Sequence, residues 1–127
     1  MKKLTCRNYN KNNLRKLAVV QCIPSDLHAS KDPRDYCIST LKESGIVDSI
    51  VLAVPLIEEH SVFDELGKKW GVDVYYGSWY NIVERICNAS EKYNPDIIVR
   101  CLLRRFYLDT NLVKSMINKI NEGYDYI

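Results

Sequence analysis

The sequence predicts an α/β domain: a doubly wound, mostly parallel sheet covered by helices on both faces, three layers in all. Three observations lead there. Short apolar runs alternate along the chain with stretches of helical periodicity. The runs at 17–23 and 47–54 are apolar nearly throughout, as strands covered on both faces must be. Each helical stretch is closed by a glycine or by Asn94-Pro95 before the next run begins. At 127 residues, 46% hydrophobic and 27% charged, the chain suits one domain with a single sheet.

Taken in order, residues 7–13 are polar and Asn-rich, and Leu17 to Ile23 then forms a β-rich run that Pro24 ends. Its unbroken apolarity marks a central strand. A loop-like stretch, 24–32, leads to Asp32 as cap and Pro33 as first helical residue, with Tyr36, Cys37, Thr40 and Leu41 at helical spacing until Gly45. Val47 to Val54 is the second strand, ended by Pro55. From Glu58 to Trp70, Val62, Phe63, Leu66 and Trp70 mark one helical face, with acids in the first turn, Lys68 and Lys69 in the last, and Gly71 as stop.

Val72 to Tyr76 supplies a short strand. Gly77-Ser78 is the next turn, where Ser78 is the candidate cap of a helix with a buried stripe of Ile82, Val83, Ile86, Ala89 and Tyr93. Asp96 to Val99 leads into the late apolar strand, followed by a loop through Arg104. Asp109 or Thr110 caps a last helix with the stripe Leu112, Val113, Met116, Ile117 and Ile120, and Gly123 closes it. Tyr124 to Ile127 reads as the start of a further strand, whose unpaired edge would be a template for pairing.

The net charge of +2 conceals an asymmetry. Lys2, Lys3, Arg7, Lys11, Arg15 and Lys16 form a basic tail, 1–16, without an acid, and 17–127 is the α/β domain. Tails of this kind are usually solvated ends, so nucleic acid is not the expected partner. The five cysteines, an odd number without a C-x-x-C pair, suit neither a disulfide framework nor a zinc site. Cys22, Cys37, Cys87 and Cys101 are expected to be at least partly buried. No 18-residue apolar run and no signal-peptide pattern occurs, so a cytoplasmic protein without a membrane partner is expected.

Few motifs carry chemistry. No G-x-G-x-x-G or Walker loop is present, and His28 and His60 stand apart from any ligand set. Cys22 with His28 is a remote nucleophile pair, and Glu58-Glu59 complement a helix dipole. Gly77-Ser78, between a strand and a helix, is either a capped turn or an anion site. Arg100, Arg104 and Arg105, at the exit of a strand, form either a phosphate or carboxylate clamp or a solvated basic loop. Arg100 alone also reads as a strand-end ion pair. Arg85, in mid-helix, reads as a surface residue.

The stretches GIVDSIVLAV, FDELGKKWGVDVYYGS, VERICNASEKYNPDIIVR and LDTNLVKSMINKINEGYDYI resemble the cytidylyltransferases that activate sugars for surface polysaccharides. The resemblance is to the spore coat polysaccharide biosynthesis protein F group, which is acylneuraminate cytidylyltransferase-like. It covers residues 33–127, with a looser echo in VVQCI. It implies a Rossmann-like nucleotidyltransferase (nucleotide-diphospho-sugar transferase) fold, present in part, that binds a CTP-type nucleotide with a divalent metal and transfers a nucleotidyl group to a sugar. Gly77, Ser78, Arg85, Arg100 and Asp109 are retained. The implied candidate nucleotide-binding positions are Gln21, Ser25, Gly77, Ser78, Arg100 and Arg104.

Two departures bear on activity. The family's triphosphate loop carries two arginines and a lysine, whereas this strand runs on as Gln21-Cys22-Ile23-Pro24-Ser25-Asp26 into a shorter connection. The family's Gly-Asp-Cys-Pro, whose Asp binds the metal, is matched by Leu103, Arg104, Arg105 and Phe106, so Arg104 could stand where the metal's charge would be. Family enzymes also continue beyond the position of Ile127, with sugar-recognition and dimerisation segments. The expectation is a degenerate domain with no catalytic residue and no metal ligand assigned, binding CTP, CMP or a nucleotide sugar. One rival is an active sugar nucleotidyltransferase that joins CTP and a sugar acid to a CMP-sugar, with Mg²⁺ required only in that case. Another is an interaction module that forms a homodimer through apolar edges.

Overall fold

The computed structural model describes residues 2–3, 14–23, 31–56, 60–103 and 108–126. Along the chain the elements are β1 (Lys2–Lys3), β2 (Lys16–Gln21), α1 (Lys31–Ser44), β3 (Ser49–Pro55), α2 (His60–Trp70), β4 (Asp73–Gly77), α3 (Ile82–Glu91), β5 (Ile97–Leu102), α4 (Thr110–Asn121) and β6 (Tyr124–Tyr126). The four strands β4-β3-β2-β5, in that spatial order, make one sheet in which every pairing is parallel. No described helix is long and apolar enough to cross a membrane.

The order has a functional consequence. The chain winds from β2 through β3 to β4 in one direction and then returns across the sheet to place β5 on the other side of β2. In sheets of this type the strand order reverses at one point, and a crevice opens there beyond the C-terminal ends of the strands. Here that point lies between β2 and β5.

Strand β2 is the keel of the fold because both its faces are covered, as its continuous apolar run requires. Ala18, Val20 and Cys22 face a core with Leu52 and Val54 of β3, Cys37, Ile38 and Leu41 of α1, Phe63 and Trp70 of α2, and Val113 and Ile117 of α4. Leu17 and Val19 face the other way, with Val51, Ala53 and Ala89, against Tyr75, Ile86 and Tyr93. Among the described helices α3 alone covers the second face. It lies across β4, β3 and β2, and leaves Ile98 of β5 42% exposed.

The opposite, N-terminal edge of the sheet is pinned by aspartates that precede the strands. Asp48 accepts the Lys16 backbone N–H at 2.9 Å, and Asp96 accepts that of Arg15 at 2.8 Å. Return bonds run from the Asp48 and Asp96 amides to the Lys16 and Arg15 carbonyls. Asp73, at the start of β4, accepts from Lys92 Nζ at 3.2 Å and from the Tyr93 hydroxyl. The Asp48 and Asp96 pairings fix where β3 and β5 start against β2, and with that the register that keeps apolar side chains on their proper faces, while the Asp73 pairing ties β4 to the end of α3.

Several expectations need correction. Helix α1 begins at Lys31, so Asp32 and Pro33 lie inside its first turn. In its stripe Ile38 is buried while Tyr36 is 50% exposed. Val83 of α3 and Leu112 of α4 point outward, and Arg85 takes the buried place assigned to Val83. Cys22, Cys37 and Cys101 are buried but Cys87 is exposed; burial pushes the Cys37 and Cys101 thiols up to about 11 and about 12, which leaves them protonated and inert. Strand β6 exists and has a partner, since it pairs antiparallel with β1. Gly45 and Gly71 end their helices at φ +65° and +66°, as helix-stop glycines do. Glu58, Glu59 and His28 lie outside the described residues.

The Asp96 carboxyl is held below the usual carboxylate range, first by the Arg15 backbone N–H and then by the Arg15 side chain. The Tyr93 hydroxyl, followed by Lys92, does the same for Asp73. A carboxyl whose folded pKa is depressed contributes stability above the unfolded value, about 4, and that contribution disappears as pH falls through the folded pKa. Thermal melts of the wild type are therefore expected to drop on acidification through and below pH ~4. Asp96→Asn should melt lower than the wild type at neutral pH and lose less on acidification. An equal acid-induced loss in the two proteins would exclude this role for Asp96.

Candidate functional site

At the β2–β5 crevice, Gln21 and Arg100 emerge on the face that α3 covers only in part. Val19 pairs with Arg100 and Gln21 with Leu102, so in parallel register all four residues share one side of the sheet. The Arg100 guanidinium reaches forward and donates from Nε at 3.1 Å and from Nη2 at 2.7 Å, both to Gln21 Oε1. This double donation fixes which way round the Gln21 amide sits. Gln21 is 7% exposed, so the amide is a built part of the crevice wall.

A second guanidinium enters from α3. Arg85 is 2% exposed, and its Nη1 donates to the Ser78 carbonyl at 3.1 Å. Its Nε is buried and has no hydrogen-bond acceptor among the described residues. Burial, above all, and the nearby Arg100 charge pull its pKa down, against an opposing influence from Cys22. The Cys22 Sγ–H donates to the Val20 carbonyl at 3.6 Å. Among the described residues, the hydrogen-bond acceptors that face these two arginines are thus a backbone carbonyl and a side-chain amide, both neutral.

The turn after β4 is shaped to admit Arg85. A Cβ on Gly77 would lie 2.7 Å from a Tyr75 ring carbon and 3.1 Å from Arg85 Cγ, so the stem of Arg85 occupies the space that a side chain there would need. Asn81, rather than Ser78, caps α3: its side chain accepts the Glu84 N–H at 3.0 Å. Ser78 Oγ accepts the Asn81 N–H at 3.1 Å, one step earlier. Two stacked side-chain caps thus hold the turn whose carbonyl anchors the guanidinium. Trp79 and Tyr80 stand beside it, 46% and 92% exposed.

Elsewhere a cleft of about 480 Å³ opens against Asp73, Tyr75, Lys92 and Tyr93, where β4 begins. Its carboxylate already accepts from Lys92 and the Tyr93 hydroxyl, so it offers a ligand little.

With this geometry in view, comparison with solved structures is informative. The chain superimposes on a cytidylyltransferase from Leptospira borgpetersenii serovar Hardjo-bovis with a TM-score of 0.74, over 89% of this chain and 51% of that one, at 20% identity. The two share a fold. No family model matches the chain. A curated relative, an uncharacterized protein of Methanocaldococcus jannaschii, is 29% identical over 94 residues, which are 73% of this chain and 39% of that protein. The chain thus spans about half the length of the solved structure and less of the relative.

Of the candidate positions, Gln21 and Arg100 are brought together, and Gly77 and Ser78 meet Arg85. Ser25 and Arg104, with Arg105, lie outside the described residues. Arg100 makes its strand-end bonds to an amide rather than to an acid. Asp109 caps α4 by accepting the Leu112 N–H at 3.1 Å. Leu103 is fully buried in the larger core. Arg85 is the residue that sequence reasoning placed wrongly. A signal was available: it precedes Ala89 by one helical repeat and Tyr93 by two, on an otherwise apolar face.

Among the described residues no group of three or more His, Cys, Asp or Glu could hold a metal ion. A divalent cation of the magnesium type needs oxygen ligands, and two guanidiniums oppose it. The described crevice does not fit a metal of that type.

Gly77→Ala is expected to lower unfolding free energy by about 1–3 kcal/mol, the usual range for overpacking, in urea melts. Ser78→Ala, which removes only one cap in the turn, should cost about 1 kcal/mol. A Gly77→Ala protein as stable as the wild type would show that the Arg85 stem does not need that space.

Proposed function

We propose that this chain is a cytidylyltransferase-like nucleotide-binding domain in which metal-assisted transfer is impaired, and that it holds CTP, CMP or a nucleotide sugar of the kind used in polysaccharide assembly. The observation that carries the reading is the pairing of Arg100 with Gln21 at the switch point of a parallel sheet, where such folds bind their ligands, with Arg85 buried on the same face of the sheet. The shared fold with a cytidylyltransferase supports it.

Each described group has a role in this reading. Arginine suits phosphate oxygens because its donors form a planar fork and its charge persists at any physiological pH. The Gln21 amide, held by Arg100 through its oxygen, keeps its nitrogen as a donor for a ligand carbonyl or hydroxyl. Phosphoryl transfer depends on neutralising charge at the reacting phosphate and on aligning the attacking group. The sequence lacks the family's loop arginines and lysine, and Leu103 begins the stretch that matches the family's Gly-Asp-Cys-Pro; both favour binding over turnover.

A thermal-shift series with CTP, CMP, UTP, ATP and GTP, each with and without Mg²⁺, tests this. A ligand that binds only the folded state stabilises by about 2.7 kcal/mol at a concentration of 100 Kd. Cytidine nucleotides are expected to raise the melting temperature to the same extent with and without Mg²⁺, with no CMP-sugar formed from CTP and sugar acids. A shift that requires Mg²⁺, together with turnover, would establish the active nucleotidyltransferase instead. No shift with any nucleotide would end both readings.

A further inference from the structure

We propose that the turn leading into α3 is a contact surface for a second copy of this chain, centred on Trp79, Tyr80, Ile82 and Val83 with Leu56 beside them. The inference goes beyond the nucleotide-binding reading and does not rest on it.

Exposed apolar surface is concentrated there. Nine large apolar side chains are exposed among the described residues, and five of them are these: Leu56 at 62%, Trp79 at 46%, Tyr80 at 92%, Ile82 at 38% and Val83 at 71%. Four follow one another closely in the chain. The fifth is brought to them by the sheet, because the Leu56 N–H donates to the Gly77 carbonyl at 2.9 Å, just past the paired ends of β3 and β4. Taking about 150–200 Å² for each side chain, the exposed area is on the order of 500 Å². Single exposed apolar residues are ordinary on a monomer, but a patch of this size marks an interaction surface.

The turn is also set in advance of any contact. Ser78 Oγ accepts the Asn81 N–H, Asn81 Oδ1 accepts the Glu84 N–H, and the buried Arg85 donates to the Ser78 carbonyl. Covering the turn therefore strands none of these polar groups, and little ordering entropy is lost when it is covered.

Charge and area favour a second copy as the occupant. Around a two-fold axis a patch meets itself, so a charge at its centre would face its own like. Neither 49–56 nor 74–83 contains a charged residue, and the uncharged run ends only at Glu84. Two such patches bury about 1,000 Å² together, the lower limit for a specific interface. The dimer is accordingly a weak one, with a dissociation constant on the order of 100 µM. The strand edge that the sequence suggested for such contacts, β6, already pairs with β1.

Sedimentation velocity of the full chain from about 10 µM to about 1 mM tests the surface, with Tyr80→Ser and Val83→Asp as patch variants and Leu112→Asp, at an exposed position of α4, as control. Tyr80 is almost fully exposed, and an aspartate suits the first turn of α3, so each patch variant should melt close to the wild type. The expected result is a wild-type monomer–dimer equilibrium that both patch variants weaken by about tenfold or more and that Leu112→Asp leaves unchanged.

A wild type that stays monomeric throughout, dimerisation that either patch variant leaves undiminished, or an equal loss in Leu112→Asp overturns the proposal. Where Val83→Asp does not fold, Tyr80→Ser decides by the same criterion. A monomeric wild type that co-sediments with phosphatidylcholine vesicles, and loses this with Tyr80→Ser, would assign the patch to a lipid surface and overturn the second copy.

Discussion

A strand covered on both faces can offer ligands only its two ends, and in this molecule that strand is β2. Residues Leu17 to Val20 are wholly enclosed, with α1, α2 and α4 over one side and α3 over the other. All variation in chemistry is therefore displaced to the edges of the sheet. At the N-terminal edge, Asp48 and Asp96 accept the first amides of β2 and set its register on both sides. At the C-terminal edge, Gln21 is the last residue of the strand and the first polar group that the crevice presents.

The two edges differ in how their charges are treated. At one end Asp96 finds a backbone N–H and the Arg15 side chain, and Asp73 a hydroxyl and an ammonium group, so the ionised forms of these two are favoured; with Asp48, which accepts the Lys16 N–H, they act as staples. Arginines at the other end find a carbonyl and an amide oxygen. Both of those partners are neutral. Among the described residues the charges of the first edge are paired, and those of the second meet only neutral acceptors. The two ends differ because the strand order reverses only where β5 joins β2, and that reversal opens a crevice at the C-terminal side.

Helix α3 connects the two ends. Ala89 and Ile86 seat it on the sheet, and Arg85 sits one turn before Ala89 on the same face, so the packing that closes the second core also drives a guanidinium into it. Gly77 makes room for the stem and Ser78 holds the head. The burial of Arg85 is thus a consequence of how the helix docks, which no property of the Arg85 position alone reveals. Val83, more apolar than arginine, is 71% exposed for the same reason.

The alternation of strands and helices, the central place of the Leu17–Ile23 run, the helix stops at Gly45, Gly71 and Gly123 and the Asp109 cap were all legible in the sequence, because each depends on local propensity or on a period of two or of 3.6 residues. Arg100 was legible as a candidate from its place at a strand exit, and Gln21 only through the family resemblance. Their mutual hydrogen bonds were not, because the two residues are far apart in the chain and meet only through the β2–β5 register. Helical rotation about α3 and the exposure of Cys87 likewise depend on which neighbour a face meets. Local periodicity determined the elements and their order; the tertiary structure alone decided that an arginine, rather than the valine beside the stripe, would be the side chain buried next to the crevice, because burial is settled by docking geometry between elements rather than by the hydropathy of one position.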